Sequence, residues 1–257
     1  MNTGPALAEL GMFHGAALLA VAFAAGLLRG FSGFGSSLLL VPALALAMGP
    51  VAAVAVGTLL ESLATAMLVP SSVAHADRRR LLTMSPAACV AIPLGHFALL
   101  KLDPAVSNLA ISAAVVLMSG MVWRGVSLRL PGGERGDVGI GLVSGFLTGF
   151  GSIGGPPMVL YILAGAGSSL QKRADLIVVA GIAQAAAFVS MIAFGLLTIG
   201  GAGGAAVLAP MFLGGGFLGS QLFRRASERT YQRVALGALF VAAAILLRVN
   251  IAKILLR

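Results

Sequence analysis

The chain has 257 residues, 59% of them hydrophobic, with 17 Lys and Arg and 8 Asp and Glu making up only 10%. Soluble domains carry roughly 25% charged residues, and a mean hydropathy of +1.03 is more apolar surface than one globular core of this size can hide. An ordinary soluble enzyme, a disordered chain and a nucleic-acid module are excluded, which leaves an all-α polytopic membrane protein.

The net charge of +9 does not point to nucleic acid, because the bases cluster in short loops between apolar runs, as membrane orientation requires. Cys89 is the single cysteine and cannot form an internal disulfide. His14, His75 and His96 share no zinc-ligand spacing, and the ten methionines form no spaced cluster. No metal or cofactor is expected, and no catalytic residues are assigned.

The first apolar block covers residues 10–49. Ala22-Phe23-Ala24 resembles a signal-peptidase site, but residues 1–13 contain Glu9 and no Lys or Arg, so residues 1–28 read as mature protein. The block is interrupted at Arg29-Gly30-Phe31-Ser32-Gly33-Phe34-Gly35-Ser36-Ser37. Spans near the ~20 residues needed to cross a bilayer are expected at 50–70, 85–101 and 104–124. A polar connection from Gly125 to Asp137 follows. Val138 to Gln171 then runs without a charge, too long for one span and too short for two. It is interrupted by Thr148-Gly149-Phe150-Gly151-Ser152-Ile153-Gly154-Gly155-Pro156-Pro157. Three more spans are expected at 176–199, 201–223 and 230–248, with Gly200–Gly204 as a loop or bend.

Glycine and proline at this density do not continue a helix. Irregular backbone at membrane depth survives only where protein or a water-lined cavity satisfies its polar groups. Each interrupted block therefore predicts a helix–break–helix element. The breaks are copies: Gly33-Phe34-Gly35-Ser36 matches Gly149-Phe150-Gly151-Ser152. Downstream, Val56-Gly57 answers Ala180-Gly181, Gly95-His96-Phe97 answers Gly215-Gly216-Phe217, and Trp123-Arg124 answers Leu247-Arg248. The chain reads as two transmembrane repeats, 11–125 and 127–250.

Base counting orients them. With Arg78-Arg79-Arg80 in the cytoplasm and Arg29 set aside, a broken element that crosses once puts nine bases inside and seven outside. One that dips in and returns puts twelve inside and four outside, which obeys the positive-inside rule far better. A re-entrant broken helix plus three spans is an odd number of crossings. The second repeat is then inverted, both termini face outside, and the architecture is that of secondary transporters.

The break residues are the first site candidates. Backbone N–H groups and the half-helix dipole attract anions at a helix N-terminus. Ser36 and Ser37 open one half-helix, and Pro156-Pro157 opens the other. Gly33, Phe34, Gly35, Gly149, Gly151, Ser152, Gly154 and Gly155 complete the set, with Gly151 to Gly155 suited to an amide nest around an oxyanion. Gly26, Gly30, Gly141, Gly145 and Gly149 also fit the small-residue spacing of close helix packing. Neither break is a nucleotide loop, for want of Gly-Lys-Ser/Thr. Glu61, mid-span, is a candidate for proton coupling or gating, with Gln184 at the matching place in the second repeat. His96 is a second proton-relay candidate. Arg29 either attracts anions or snorkels to the interface.

These features resemble the TauE/SafE sulfite exporter family: two Gly-rich broken helices, Gly154-Gly155-Pro156-Pro157 after the second, short loops and about 250 residues, over roughly 13–248. Ser36-Ser37 departs from the more glycine-rich first motif common in the family. The resemblance implies a multi-pass protein of the bacterial inner membrane. It would be a secondary carrier exporting a small sulfur-containing anion such as sulfite or a sulfonate. Expected partners are that anion and the lipid bilayer, with no nucleic acid; a homo-oligomer is compatible. Two alternatives are a channel-like anion pore and a membrane assembly subunit without transport. A membrane enzyme is disfavoured, since no Ser–His–Asp or HExxH arrangement occurs.

Overall fold

The computed structural model describes residues 4–124 and 133–225. Among them all regular structure is helical. Helices α1 (Gly4–Ser32) and α2 (Ser36–Met48) flank the first break, and α6 (Glu134–Gly151) and α7 (Gly155–Ala164) the second. Between and after them run α3 (Pro50–Ser72), α4 (Arg78–Lys101), α5 (Pro104–Trp123), α8 (Ser169–Ala193) and α9 (Ile199–Arg225). Among the described residues, five segments are long and apolar enough to cross a membrane: Gly15–Ser32, Pro50–His75, Arg78–Lys101, Ser169–Ala193 and Ile199–Arg225.

Both expected breaks are present and narrow to residues 33–35 and 152–154. Gly33 and Gly35 hold φ of +84° and +86°, a left-handed backbone that ends α1 and redirects the chain into α2. Ser152 holds φ +53° at the end of α6. A non-glycine residue in that region carries strain of order 1–3 kcal/mol, a cost concentrated at functional sites.

The helix ends differ from the sequence expectation. α4 begins at Arg78 rather than 85, because the Asp77 carboxylate accepts from the Arg79 amide at 2.9 Å and caps it. α8 begins at Ser169 and ends at Ala193, not 176–199, with the Ser168 hydroxyl capping it at Gln171. Its charged first turns are tolerated because Asp175 is ion-paired to Arg80. α6 starts at Glu134, inside the expected polar connection. Gly200–Gly204 is no loop: it forms the first turns of α9, where the Thr198 hydroxyl accepts from the Gly201 amide at 3.1 Å and Gly204 rests near Val56. The expected span 230–248 and the end of the second repeat lie outside the described residues.

Small-residue stripes set the closest helix pairs. Gly26 lies on the Phe212 carbonyl and Gly30 on that of Gly216, so α1 and α9 run side by side in the same direction. Gly141, Gly145 and Gly149 lie on the Met84, Ala88 and Ile92 carbonyls, which sets α6 parallel to α4. Gly95 in turn abuts Phe146 and Phe150, and Gly215 abuts Phe23 and Leu27. The broken helix of each sequence repeat thus packs along an unbroken helix of the other. Backbones at this distance exclude any side chain, as packing in lipid favours.

α3 and α8 cross at the centre in opposite directions, with Gln184 against Thr58 and Gly181 against Thr65 and Val69. α2 runs antiparallel to α3: Ser36 meets Glu61, and Val41 meets Gly57. α7 turns back toward the start of α6. Gly165, just past α7, approaches the Arg80 guanidinium, which also stands 3.9 Å from Asp137.

Candidate functional site

The two breaks touch. A Cβ on Gly155, first residue of α7, would lie 3.7 Å from the Phe34 Cβ and 3.9 Å from the Gly35 amide nitrogen. Around this junction a cavity is lined by Arg29, Phe34, Gly35 and Ser37 of the first hairpin, and by Thr148, Ser152, Gly154, Gly155 and Met158 of the second. Glu61 of α3 and Ala180 and Gln184 of α8 complete the lining. The residues that cap α2 and α7, Gly35 and Gly154, offer no side-chain hydrogen bond to those helices. The first amides of a helix have no intrahelical partner, so both half-helices point their positive ends at the cavity, although in α7 Pro156 and Pro157 lack an N–H and leave Gly155 as the first donor.

Arg29 does not snorkel. Its side chain is 5% exposed and its Nε lies 3.2 Å from Glu61 Oε2, itself on a 6% exposed side chain. Arg29 Nη1 donates to the Gly33 carbonyl at 2.7 Å and Nη2 to Thr65 Oγ1 at 3.4 Å. The Ser36 hydroxyl donates to the other Glu61 oxygen. The carboxylate thus sits at the N-terminus of α2 with a guanidinium against it. Among the described residues these are the charged groups of the lining, and they cancel. The cavity therefore holds a fixed cation, neutralised from within.

The other candidates separate into cavity and scaffold. Gln184 lines the cavity and donates to the Thr58 carbonyl at 3.1 Å. Ser152 is buried and lines the cavity, and its hydroxyl has no hydrogen-bond partner. Gly33 packs on Ile177 and Arg173, Gly149 on the α4 backbone, and Gly151 on Ile111 and Ile153. Pro156 is buried at the start of α7. His96 stands apart, its Nδ1 2.8 Å from the Ser190 hydroxyl at the α4–α8 contact, and is not brought to the cavity.

Three contributors escaped the sequence reading. Thr148 lines the cavity although it stands inside the Gly-rich string quoted for the second break. Arg173 is buried and donates from Nε to the Phe31 carbonyl at 3.1 Å, and also to that of Gly30, satisfying carbonyls left over where α1 ends. Its guanidinium also stacks 4.1 Å from the Phe223 ring centroid. The third is a polar cluster where α4, α6 and α8 begin. Arg80 is ion-paired to Asp175 and lies near Asp137, while Thr83 donates to Asp137 at 2.9 Å and the Asp77 amide to Asp175 at 2.7 Å. The detectable signal was charge at several helix starts, which base counting used for orientation alone.

Buried amide-rich breaks around a charge-neutral pocket suit binding and release of a small ion rather than bond-breaking chemistry. Residues 18–246 match the family model described as Sulfite exporter TauE/SafE. No curated protein and no solved structure matches the chain. The match covers nearly the whole sequence, and the family's members are transporters, not enzymes. The chain belongs to the TauE/SafE family of membrane transporters.

Proposed function

We propose that the protein is a secondary carrier that moves a small sulfur-containing anion, sulfite or a sulfonate, out of the cell across the bacterial inner membrane. The observation that carries this reading is the meeting of the two breaks at Gly155 and Phe34 around a cavity holding Arg29. Two half-helix N-termini and an arginine offer the dipoles and hydrogen-bond donors that an oxyanion accepts. Binding by several partial charges also allows release.

The helix directions support the inverted arrangement of residues 11–125 and 127–250. α7 returns beside Arg80 and Asp137, where its hairpin began, and α2 returns along α3. In this reading the first hairpin enters from the end where α3 starts and the second from the end where α4 starts. The Arg78–Arg80 face is cytoplasmic and both termini are outside. Matched discontinuous helices at the repeat interface are where such carriers hold their substrates.

The test is flux in proteoliposomes holding purified protein, with sulfite, thiosulfate, methanesulfonate and sulfate supplied in turn. A carrier gives saturable flux for a subset of these anions. Flux that rises linearly with concentration for all of them would indicate a pore, and no flux for any would overturn the transport assignment.

A further inference from the structure

Resting on that reading, the anion site is already occupied from within. The start of α2 is not empty: the Glu61 carboxylate stands there, accepting from the Ser36 hydroxyl on one oxygen and meeting Arg29 Nε on the other. These are the contacts an incoming oxyanion would make. Arg29 is held for this use independently of Glu61, because Nη1 is fixed on the Gly33 carbonyl and Nη2 on Thr65. Its Nε edge faces the carboxylate, and both side chains line the cavity.

We propose that Glu61 is a tethered stand-in for the transported anion on Arg29 and the α2 N-terminus, and that the anion takes its place only as Glu61 takes up a proton. The physical reason is the cost of an unpaired buried charge. If the anion displaced an ionised Glu61, a carboxylate would be left in an apolar span beside a second negative charge, which is strongly unfavourable. Protonation removes that charge, and the neutral carboxyl can still hydrogen-bond to Ser36.

The neighbours of Glu61 leave it this role. From α1 it faces Arg29, from α2 Ser36, and from α8 the uncharged Gln184. Arg173 is engaged by the α1 carbonyls and the Phe223 ring. The α6–α7 hairpin contributes hydroxyls, Thr148 and the unpartnered Ser152, and no ionisable group to the lining. One proton then enters with each anion, and the loaded cavity keeps Arg29 as the anion's counter-charge. Gln184, at the matching place of the second repeat, cannot titrate, so the second half-site lacks this exchange.

The experiment is anion binding by isothermal titration calorimetry between pH 5 and 8. Thiosulfate and methanesulfonate are the probes, since neither titrates in that range. Repeating each titration in buffers of different ionisation enthalpy counts the protons taken up. The parent should bind more tightly as pH falls, approaching about tenfold per unit, with one proton taken up per anion. Glu61→Gln should bind at least tenfold more tightly than the parent at pH 8 and lose the pH dependence. Arg29→Gln/Glu61→Gln carries no unpaired charge; it should stay folded and lose binding.

Parent binding with no proton uptake would overturn the exchange while leaving the carrier reading standing, and so would Glu61→Gln with the parental pH dependence. If Glu61→Gln does not fold, the proton count on the parent decides alone. Absence of binding by the parent for both probes and for sulfite would remove the proposal together with the carrier reading.

Discussion

Gly155 and Phe34 lie in separate sequence repeats, yet an added Cβ on Gly155 would meet the Phe34 Cβ at 3.7 Å. Phe34 lies within the first break and Gly155 opens the helix that follows the second, so this contact joins the tips of two hairpins. A Cβ at Gly155 meets only ordinary contacts, whereas one at Gly154 would collide with the Ser144 carbonyl and Thr148 Oγ1. Gly155→Ala should therefore fold like the parent and bind anion more weakly by narrowing the junction, whereas Gly154→Ala should lower thermal stability. Comparable unfolding temperatures for the two variants would contradict this division.

Ser152 offers a cleaner probe of the cavity. Its left-handed φ of +53° suits glycine better, and its buried hydroxyl has no partner. Ser152→Gly should be at least as stable as the parent, since strain there costs of order 1 kcal/mol or more. Losing a hydroxyl that bonds the anion should weaken binding by roughly 0.5–1.5 kcal/mol. Thermal unfolding and calorimetric titration of one variant check both signs. Unchanged affinity would show that the hydroxyl does not meet the anion.

Helix packing makes a sharper contrast. Gly145 lies on the Ala88 backbone, while Gly139 on the same helix has nothing within 4 Å of an added Cβ. Gly145→Ala should destabilise by about 1–3 kcal/mol through overpacking. Gly139→Ala should raise stability by up to about 1 kcal/mol through helix propensity. Denaturation in detergent micelles measures both, and equal effects would deny the close approach of α4 and α6.

Where α4, α6 and α8 begin, Arg80 is ion-paired to Asp175, whose side chain is fully buried. Arg80→Gln leaves that carboxylate without its cation and should cost about 3–5 kcal/mol. Arg80→Gln/Asp175→Asn should recover most of the loss. A single variant as stable as the parent would show that the pair does not hold the three helix starts together.

Both breaks were legible because glycine and proline at that density leave few alternatives in an apolar block. The stripes Gly26–Gly30 and Gly141–Gly145–Gly149 were legible from their four-residue spacing. Helix ends were less so, because charges were taken to bound the spans. Arg78–Arg80, Lys172, Arg173 and Asp175 instead lie within helices, where capping and the Arg80–Asp175 pair accommodate them. The Arg29–Glu61 pair could not be read from the chain: α1 and α3 must first be brought together by the break and α2 between them. Thr65 and Arg173 were missed for the same reason, their roles being fixed by carbonyls and side chains of other helices.

Topology follows from the same charges. In protein with Cys89→Ser, cysteines introduced as Arg79→Cys, Arg129→Cys and Arg225→Cys should react with an impermeant thiol reagent only from the cytoplasmic face, and Lys101→Cys only from outside. Labels at 129 and 225 on opposite faces would remove the inverted arrangement.

Counterflow in proteoliposomes bears most directly on the carrier that these hairpins are inferred to build. Vesicles loaded with excess unlabelled sulfite are diluted into a trace of labelled sulfite. Alternating access around one site predicts transient accumulation of label above its equilibrium level, lost in Arg29→Gln/Glu61→Gln. Label that only relaxes monotonically to equilibrium, at a rate the double substitution leaves unchanged, would contradict the account.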